Sequence, residues 1–251
     1  MDNTQRFTGR AGVYAKARPG YAPQLIERLV AWAGLSPASV VADIGAGTGI
    51  FSAQLAAAGA RVVAVEPNAE MRSQAAARFD GASNVIILGS TAEATGIRDA
   101  SVDLVTAAQA FHWFDHEAFR AECIRILRGN ARVALVWNMR VSEAPVNAAC
   151  EQAFRKLCPR FRGFSGGVRT DDPAVAQFFR DTFETWHFAN DLVYNREAFV
   201  ARCLSGSYAP KAGDNGYETF VCAMQDIFDE FQQGGQLVVP NQTNAYIGTL
   251  R

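Results

Sequence analysis

A short apolar run that ends in three closely spaced glycines, VVADIGAGTGIF at residues 40–51, constrains this 251-residue chain more than any other feature. Val40, Val41, Ala42, Asp43 and Ile44 make up a β-branched run of the kind found in a strand buried on both faces. Gly45, Gly47 and Gly49 then permit a tight turn and let a ligand reach the main chain without meeting a Cβ. In FSAQLAAAG, which follows, Phe51, Leu55 and Ala58 stand at helical spacing, and Gly59 closes the helix.

The same alternation recurs downstream. RVVAVEP (61–67), NVIILGS (84–90), DLVTAAQAF (103–111) and RVALVWN (132–138) read as strands, while 69–79 and 116–129 read as helices, the second closed by a glycine. A further helix over 24–33 precedes the first strand and stops near Gly34 and Pro37. Strands separated by helices of about 10–15 residues imply βαβ units and a mainly parallel sheet, with ligands at the strands' carboxyl ends. The expected fold is therefore a doubly wound, Rossmann-like α/β sheet with helices on both faces. Beyond residue 140 the pattern predicts helices at 143–158, 172–182, 196–204 and 215–233 and strands at 183–190 and 243–250. The whole chain is expected to be one domain, with an N-terminal lid and helix (1–37), a ligand-binding core (38–140), and a helical C-terminal lid and sheet edge (141–251). RKLCPRFRGFSGGVRT, rich in Arg and Gly, reads as a mobile loop.

Composition narrows the function. Lys plus Arg total 24 against 25 Asp plus Glu, a formal net charge of −1, with no long run of one sign. A dedicated nucleic-acid binder carries a basic face, which this balance does not supply. The five cysteines form no CxxC pair and read as reduced thiols. No apolar segment suggests a signal peptide or a membrane span, so a cytoplasmic location is expected.

The glycine loop suggests a nucleotide-like guest, but the dinucleotide fingerprint G-x-G-x-x-G needs a third glycine where Ile50 stands. The other use of such a loop is to cradle an amino-acid tail, with an acid at the end of the second strand taking two ribose hydroxyls. Glu66 stands there, and an ionised carboxylate, having acceptors only, can receive both hydroxyl protons. The same acid suits a nicotinamide cofactor, so Glu66 alone leaves both readings open.

D-I-G-A-G-T-G at 43–49, followed by V-E-P-N at 65–68, resembles the class I S-adenosylmethionine-dependent methyltransferases. GSTAEA (89–94) is similar to the family's third cofactor segment and DLVTAAQAFHWFD (103–115) to its fourth, the latter typical of the bacterial small-molecule branch labelled type 11. The likeness covers residues 38–138, with a weaker one at YAKARPGY (14–21). It implies S-adenosylmethionine as cofactor and a small-molecule acceptor, for which the basic residues considered below make a carboxylate-bearing metabolite one candidate. Asp43, Gly45, Ala46 and Gly47 would line the methionine tail, with Thr48 and Gly49 beginning the helix beneath it. Glu66 would hold the ribose. Pro67, Asn68 and Met71 would flank the adenine, Ala92 and Glu93 would meet its polar edge, and Gln109 and Ala110 would lie beside the sulfonium. Tyr14, Arg18 and Tyr21 would close over the site, Tyr21 on the acceptor side.

His112 is the candidate general base or acceptor-orienting group, since an imidazole can accept a proton near neutrality. Trp113 and Phe114 could stack on a flat acceptor or belong to the core. Arg155, Lys156, Arg160, Arg162 and Arg169 could recognise an anion through their charge, the guanidinium groups by bidentate pairing, or could be solvated. Ser205, Ser207 and Tyr208 could add hydroxyls. His112 and His116, four apart, have no third ligand nearby in sequence, so no metal is expected, and Asp115 reads as the N-cap of the helix that follows. A nicotinamide-dependent oxidoreductase, a non-catalytic cofactor-binding protein and an RNA or protein methyltransferase stand as alternatives. The last lacks both an appended basic module and an N-P-P-Y-type segment.

Overall fold

In the computed structural model, residues 19–164, 172–206 and 208–250 are described. The expected alternation is realised as α1 (Pro23–Ala33), β1 (Val40–Ile44), α2 (Ile50–Ala57), β2 (Arg61–Val65), α3 (Ala69–Arg78), β3 (Val85–Leu88), β4 (Val102–Ala108), α4 (His116–Ile126) and β5 (Leu127–Arg140). Then follow α5 (Pro145–Leu157), α6 (Pro173–Phe179), β6 (Phe183–Ala189), β7 (Leu192–Tyr194), α7 (Arg196–Leu204), α8 (Tyr217–Phe231), β8 (Leu237–Val239) and β9 (Asn241–Thr249).

Seven strands form one sheet in the order β3-β2-β1-β4-β5-β9-β6. The first five are parallel, and β9 runs antiparallel between β5 and β6. Because strand order reverses between β1 and β4, their carboxyl ends splay apart and open a crevice. The sheet is packed on both faces. On one, Leu25 and Leu29 of α1 and Phe51 and Leu55 of α2 meet Val41, Val62 and Leu104. On the other, Phe119 and Ile126 of α4 and Phe178 of α6 meet Ile44, Val105 and Trp137.

Local signals explain most boundaries. α1 starts with Pro23 at its first turn and ends at Gly34, whose left-handed backbone (φ 62°) returns its N–H to Ala31. Asn68, Asp115, Asp172 and Asn195 each cap the helix that follows by accepting a backbone N–H. The helix predicted over 116–129 stops earlier, at Ile126. Leu127 pairs with Val102 in β5 and is 5% exposed, so the residue that continued the helical pattern belongs to the sheet.

Between β6 and β9 the chain leaves the sheet for β7, α7, α8 and β8. β7 and β8 pair as a two-stranded antiparallel ribbon that the pattern had not announced. This excursion packs with α5 around its own apolar centre, in which Phe154, Phe199, Phe220 and Met224 are fully buried or nearly so. Among the described residues no helix is long and apolar enough to cross a membrane.

Candidate active site

The crevice at the carboxyl ends of β1 and β4 opens into a cavity of about 630 Å³ that continues under the excursion. Its floor is the glycine loop. Gly45 and Ala46 donate their N–H groups to Val65 O at 2.8 and 3.0 Å, which folds the loop over the end of β2. Gly45, Gly47 and Gly49 all have positive φ, at 69°, 59° and 77°. Their surroundings differ. A Cβ on Gly45 would lie 2.5 Å from Ala110 Cβ, and one on Gly49 would lie 2.5 Å from Phe79, whereas around Gly47 nothing stands within 4 Å. Gly45 and Gly47 line the cavity; Gly49 does not, and its smallness serves the packing of α2 against Phe79 at the end of α3.

Glu66 is 8% exposed and faces the loop. One of its oxygens accepts from Gly47 N at 2.9 Å and the other from Asn68 N at 2.8 Å. A carboxylate offers about four lone-pair positions, so two more donors can be received. Burial raises its pKa above the usual carboxylate range, against the pull of those two backbone donors. Asp43, at the end of β1, accepts from Ser52 Oγ at 2.5 Å and from Thr106 Oγ1 at 2.9 Å. Its pKa is pushed up to about 6, chiefly by burial, which outweighs those two donors.

Pro67, Met71, Ala92 and Glu93 line the same end of the cavity. Asn68 caps α3 instead. Glu93 also accepts the N–H of Asp115 at 3.1 Å, which ties the loop after β3 to the start of α4. That loop is held from below by Glu122, whose oxygen accepts from Thr95 N at 2.8 Å and Thr95 Oγ1 at 2.5 Å. The Arg125 guanidinium, ahead of the Thr95 donors, holds the Glu122 carboxyl down at about 2.

On the other wall, Gln109 directly follows β4 with φ 56°, a left-handed conformation that costs a non-glycine residue energy and is retained where the surroundings impose it. Its N–H is held by Val136 O at 2.8 Å and its side-chain amide by Asn138 O at 3.1 Å. His112 and Trp113 follow in a single 3-10 turn, and with Ala110 and Phe114 they face the cavity. Phe114 also packs on Phe119 at 4.8 Å between ring centroids, so it both lines the cavity and joins the core. Tyr21 lines the opposite side, packed on Phe51 at 4.8 Å. Its backbone is joined to Gln54 in both directions, and Gly20 O accepts from Asn138 and Asn190. Tyr14, Arg18, Arg169 and Ser207 lie outside the described residues.

The remote part of the cavity holds residues that no sequence motif announced: Arg140, Arg202, Tyr194 and Asn241, beside the expected Tyr208 and Ser205. Arg160 and Arg162 reach its mouth. Arg155 does not, because it pairs with Glu151 one turn earlier on α5, and Lys156 also stays outside. Arg140 faces the thiols of Cys150 and Cys203. The Cys150 thiol is lowered to about 7, first by its hydrogen bond with Cys203 and then by the Arg140 charge.

The charges of this cavity are sorted. Asp43, Glu66 and Glu93 stand on the side of the glycine loop, while Arg140, Arg160, Arg162 and Arg202 stand beyond Gln109, with Asp172 the one carboxylate on their side among the described residues. The cradle fits S-adenosylmethionine on two observations: Gly47 has open space where a Cβ would stand, and Thr48 Oγ1, lining the cavity, is buried without a hydrogen-bond partner.

Residues 42–135 match the family model described as a methyltransferase domain, of the type 11 group. Over that stretch the chain is similar to methyltransferase domains. An uncharacterised methyltransferase of Mycobacterium tuberculosis is 40% identical over 139 residues, covering 55% of this chain and 54% of its own. One from Schizosaccharomyces pombe is 34% identical over 144 residues, with coverages of 57% and 56%. The chain therefore spans about half the length of the curated relatives it matches. A solved structure of a type II methyltransferase assignment from Anaeromyxobacter dehalogenans has a TM-score of 0.62 at 24% identity, covering 92% of this chain and 96% of that one. That likeness concerns the fold alone. The family match ends within β5, at residue 135, so the guanidinium-bearing part of the cavity lies outside it.

Proposed function

We propose that this chain transfers a methyl group from S-adenosylmethionine to a small-molecule acceptor that bears a carboxylate. The sorting of charge along one cavity carries this reading. When bound, the cofactor supplies a methyl group on a positively charged sulfur, which an aligned nucleophile attacks in line while the sulfur keeps the electron pair of the broken bond. The chain's own residues bind, align and exclude water. Gly45, Ala46, Gly47 and Thr48 hold the methionine tail, Asp43 receives its ammonium group, and Glu66 accepts the ribose hydroxyls. Pro67, Met71, Ala92 and Glu93 enclose the adenine, and Gln109 and Ala110 flank the reacting centre. Tyr14 and Arg18 close over it from the N-terminal segment.

On the acceptor side, residues 141–251 act as the lid, with Tyr208 and Arg169 among its contacts. Tyr21, Trp113 and Phe114 form the walls nearest the glycine loop. His112 accepts a proton from the acceptor or orients it. Positioning in a dry site supplies much of the rate enhancement, so no extended catalytic triad is required.

Calorimetric titration of the protein with S-adenosylhomocysteine and, separately, with NAD⁺ and NADH tests the cofactor assignment. One-to-one binding of S-adenosylhomocysteine alone is expected. Binding of a nicotinamide alone would return Glu66 to the oxidoreductase reading.

A further inference from the structure

Arg140 at the end of β5 and Asn241 at the start of β9 are direct partners in the antiparallel ladder. Such partners have Cβ atoms about 5 Å apart on one face of the sheet. Both line the remote part of the cavity. Asn241 is 4% exposed, and its Nδ2 is shielded from solvent with no acceptor in range. The Arg140 guanidinium lies 4.2 Å from the centre of the Phe164 ring, makes a long contact, 3.4 Å, to Asn147 Oδ1, and meets the Cys150 thiol, a weak acceptor that leaves the charge without an anionic partner. Among the described residues no carboxylate forms an ion pair with it.

A buried donor without an acceptor is costly, more so when it is charged, and is retained where a ligand satisfies it. Two adjacent donors facing one space suit a group with acceptors only, and a guanidinium beside an amide matches the two oxygens of a carboxylate. Apolar and aromatic side chains, Phe154, Phe164, Leu192, Tyr194 and Val239, line the same part of the cavity, together with Arg160, Arg162 and Arg202.

The position along the sheet gives the pair its role. Gln109, beside the proposed reacting centre, bonds to Val136, and Arg140 lies four residues further along β5. At about 3.3 Å per residue this is roughly 13 Å of strand. A carboxylate held there is an anchor and is separated from the reacting atom by the body of the molecule.

Resting on the methyl-transfer reading above, we infer that Arg140 and Asn241 form a carboxylate clamp, and that the acceptor is a monocarboxylic acid with an apolar body, methylated at an atom other than that carboxylate. The test uses the whole chain saturated with S-adenosylhomocysteine. Linear and phenyl-substituted monocarboxylates of six to twelve carbons, each with its primary amide, are titrated calorimetrically. At least one acid is expected to bind tenfold or more tightly than its amide. Arg140→Gln abolishes that preference, Arg140→Lys keeps part of it, and Asn241→Ala weakens the acid severalfold. S-adenosylhomocysteine affinity stays unchanged in all three, which also reports that they fold. No binding of any acid, equal binding of acids and amides, or a preference that survives Arg140→Gln overturns the clamp. A methyl ester formed on such an acid in the presence of S-adenosylmethionine overturns its anchoring role. Failure of the wild-type chain to bind S-adenosylhomocysteine sinks the methyl-transfer reading instead.

Discussion

The carboxylate of Glu66 holds the backbone of Gly47 across the glycine loop, accepting its N–H at 2.9 Å, while the second oxygen takes the N–H of Asn68 at 2.8 Å. The proposed ribose acceptor thus also shapes the cradle. Glu66→Ala removes both functions, so S-adenosylhomocysteine affinity should fall at least tenfold, about 1.4 kcal/mol or more. Glu66→Gln keeps the shape but has one acceptor oxygen, and an intermediate loss is expected. Calorimetry on both variants checks this, and an unchanged affinity in Glu66→Ala removes the ribose assignment.

The three glycines should separate by phenotype. Gly49→Ala drives a Cβ to 2.5 Å from Phe79, away from the cavity, and Gly45→Ala drives one into Ala110. Both should lose several degrees of thermal stability. Gly47→Ala meets open space, so its destabilisation should be limited to the cost of left-handed backbone, about 1–2 kcal/mol. Its cofactor affinity should nevertheless drop, because the added methyl group enters the cradle. Melting curves with and without S-adenosylhomocysteine distinguish these patterns.

Two buried carboxylates make opposite contributions to the pH profile. The folded-state pKa of Asp43 is raised from 3.8 to about 6, so the folded protein binds the proton more tightly and the ligand-free chain loses stability as pH rises through this window, by about 3 kcal/mol. Glu122 is held down at about 2, so its contribution is present above its unfolded pKa and disappears as pH falls through about 2. If Asp43 receives the cofactor's ammonium group, S-adenosylhomocysteine affinity should rise with pH up to about 6 and level off above 7. Titrations at pH 5, 6, 7 and 8 measure this; a flat profile separates Asp43 from the ammonium.

His112 sits in the 3-10 turn after β4 and faces the cavity. His112→Ala should leave S-adenosylhomocysteine affinity within about twofold and lower turnover of a true acceptor by roughly 10²-fold or more if it is a general base. His112→Gln restores part of the rate only if the residue orients rather than deprotonates.

Phe154 joins the excursion's core to the cavity wall: it is fully buried and packs on Phe161, Tyr208 and Phe220 with centroid distances of 5.1–5.3 Å. Phe154→Ala should cost about 3–5 kcal/mol in that core. Protection of α5, α7 and α8 in hydrogen exchange should fall while β1, β2 and β4 stay protected. Uniform loss across the sheet would mean that the two cores are one cooperative unit.

The sheet and its cradle were legible because each strand buried on two faces is a continuous apolar run, and each loop on its carboxyl end carries its own ligand-facing residues in sequence order. Asp43, Gly45, Glu66, Ala92 and Gln109 all proved to line one cavity for that reason. β7 and β8 were missed because three residues are too few to show a period. Leu127 misled because one apolar residue fits the next turn of a helix as well as the first position of a strand. Arg140 and Asn241 could not be paired in advance, since an antiparallel register joins them across a hundred residues. Charge alone left Arg155 and Lys156 as either anion ligands or solvated side chains; both stay outside the cavity, Arg155 paired with Glu151 on the preceding turn.

The place of β9 between β5 and β6 has a consequence for biosynthesis. During translation β5 emerges with its outer edge unpaired, and it stays so while about a hundred further residues are added, since its neighbour in the sheet is β9. An exposed β edge is a template for pairing with other chains. The nascent protein is therefore most prone to aggregation after the parallel strands have formed and before Asn241–Thr249 leave the ribosome, a vulnerable interval created by the excursion between β6 and β9.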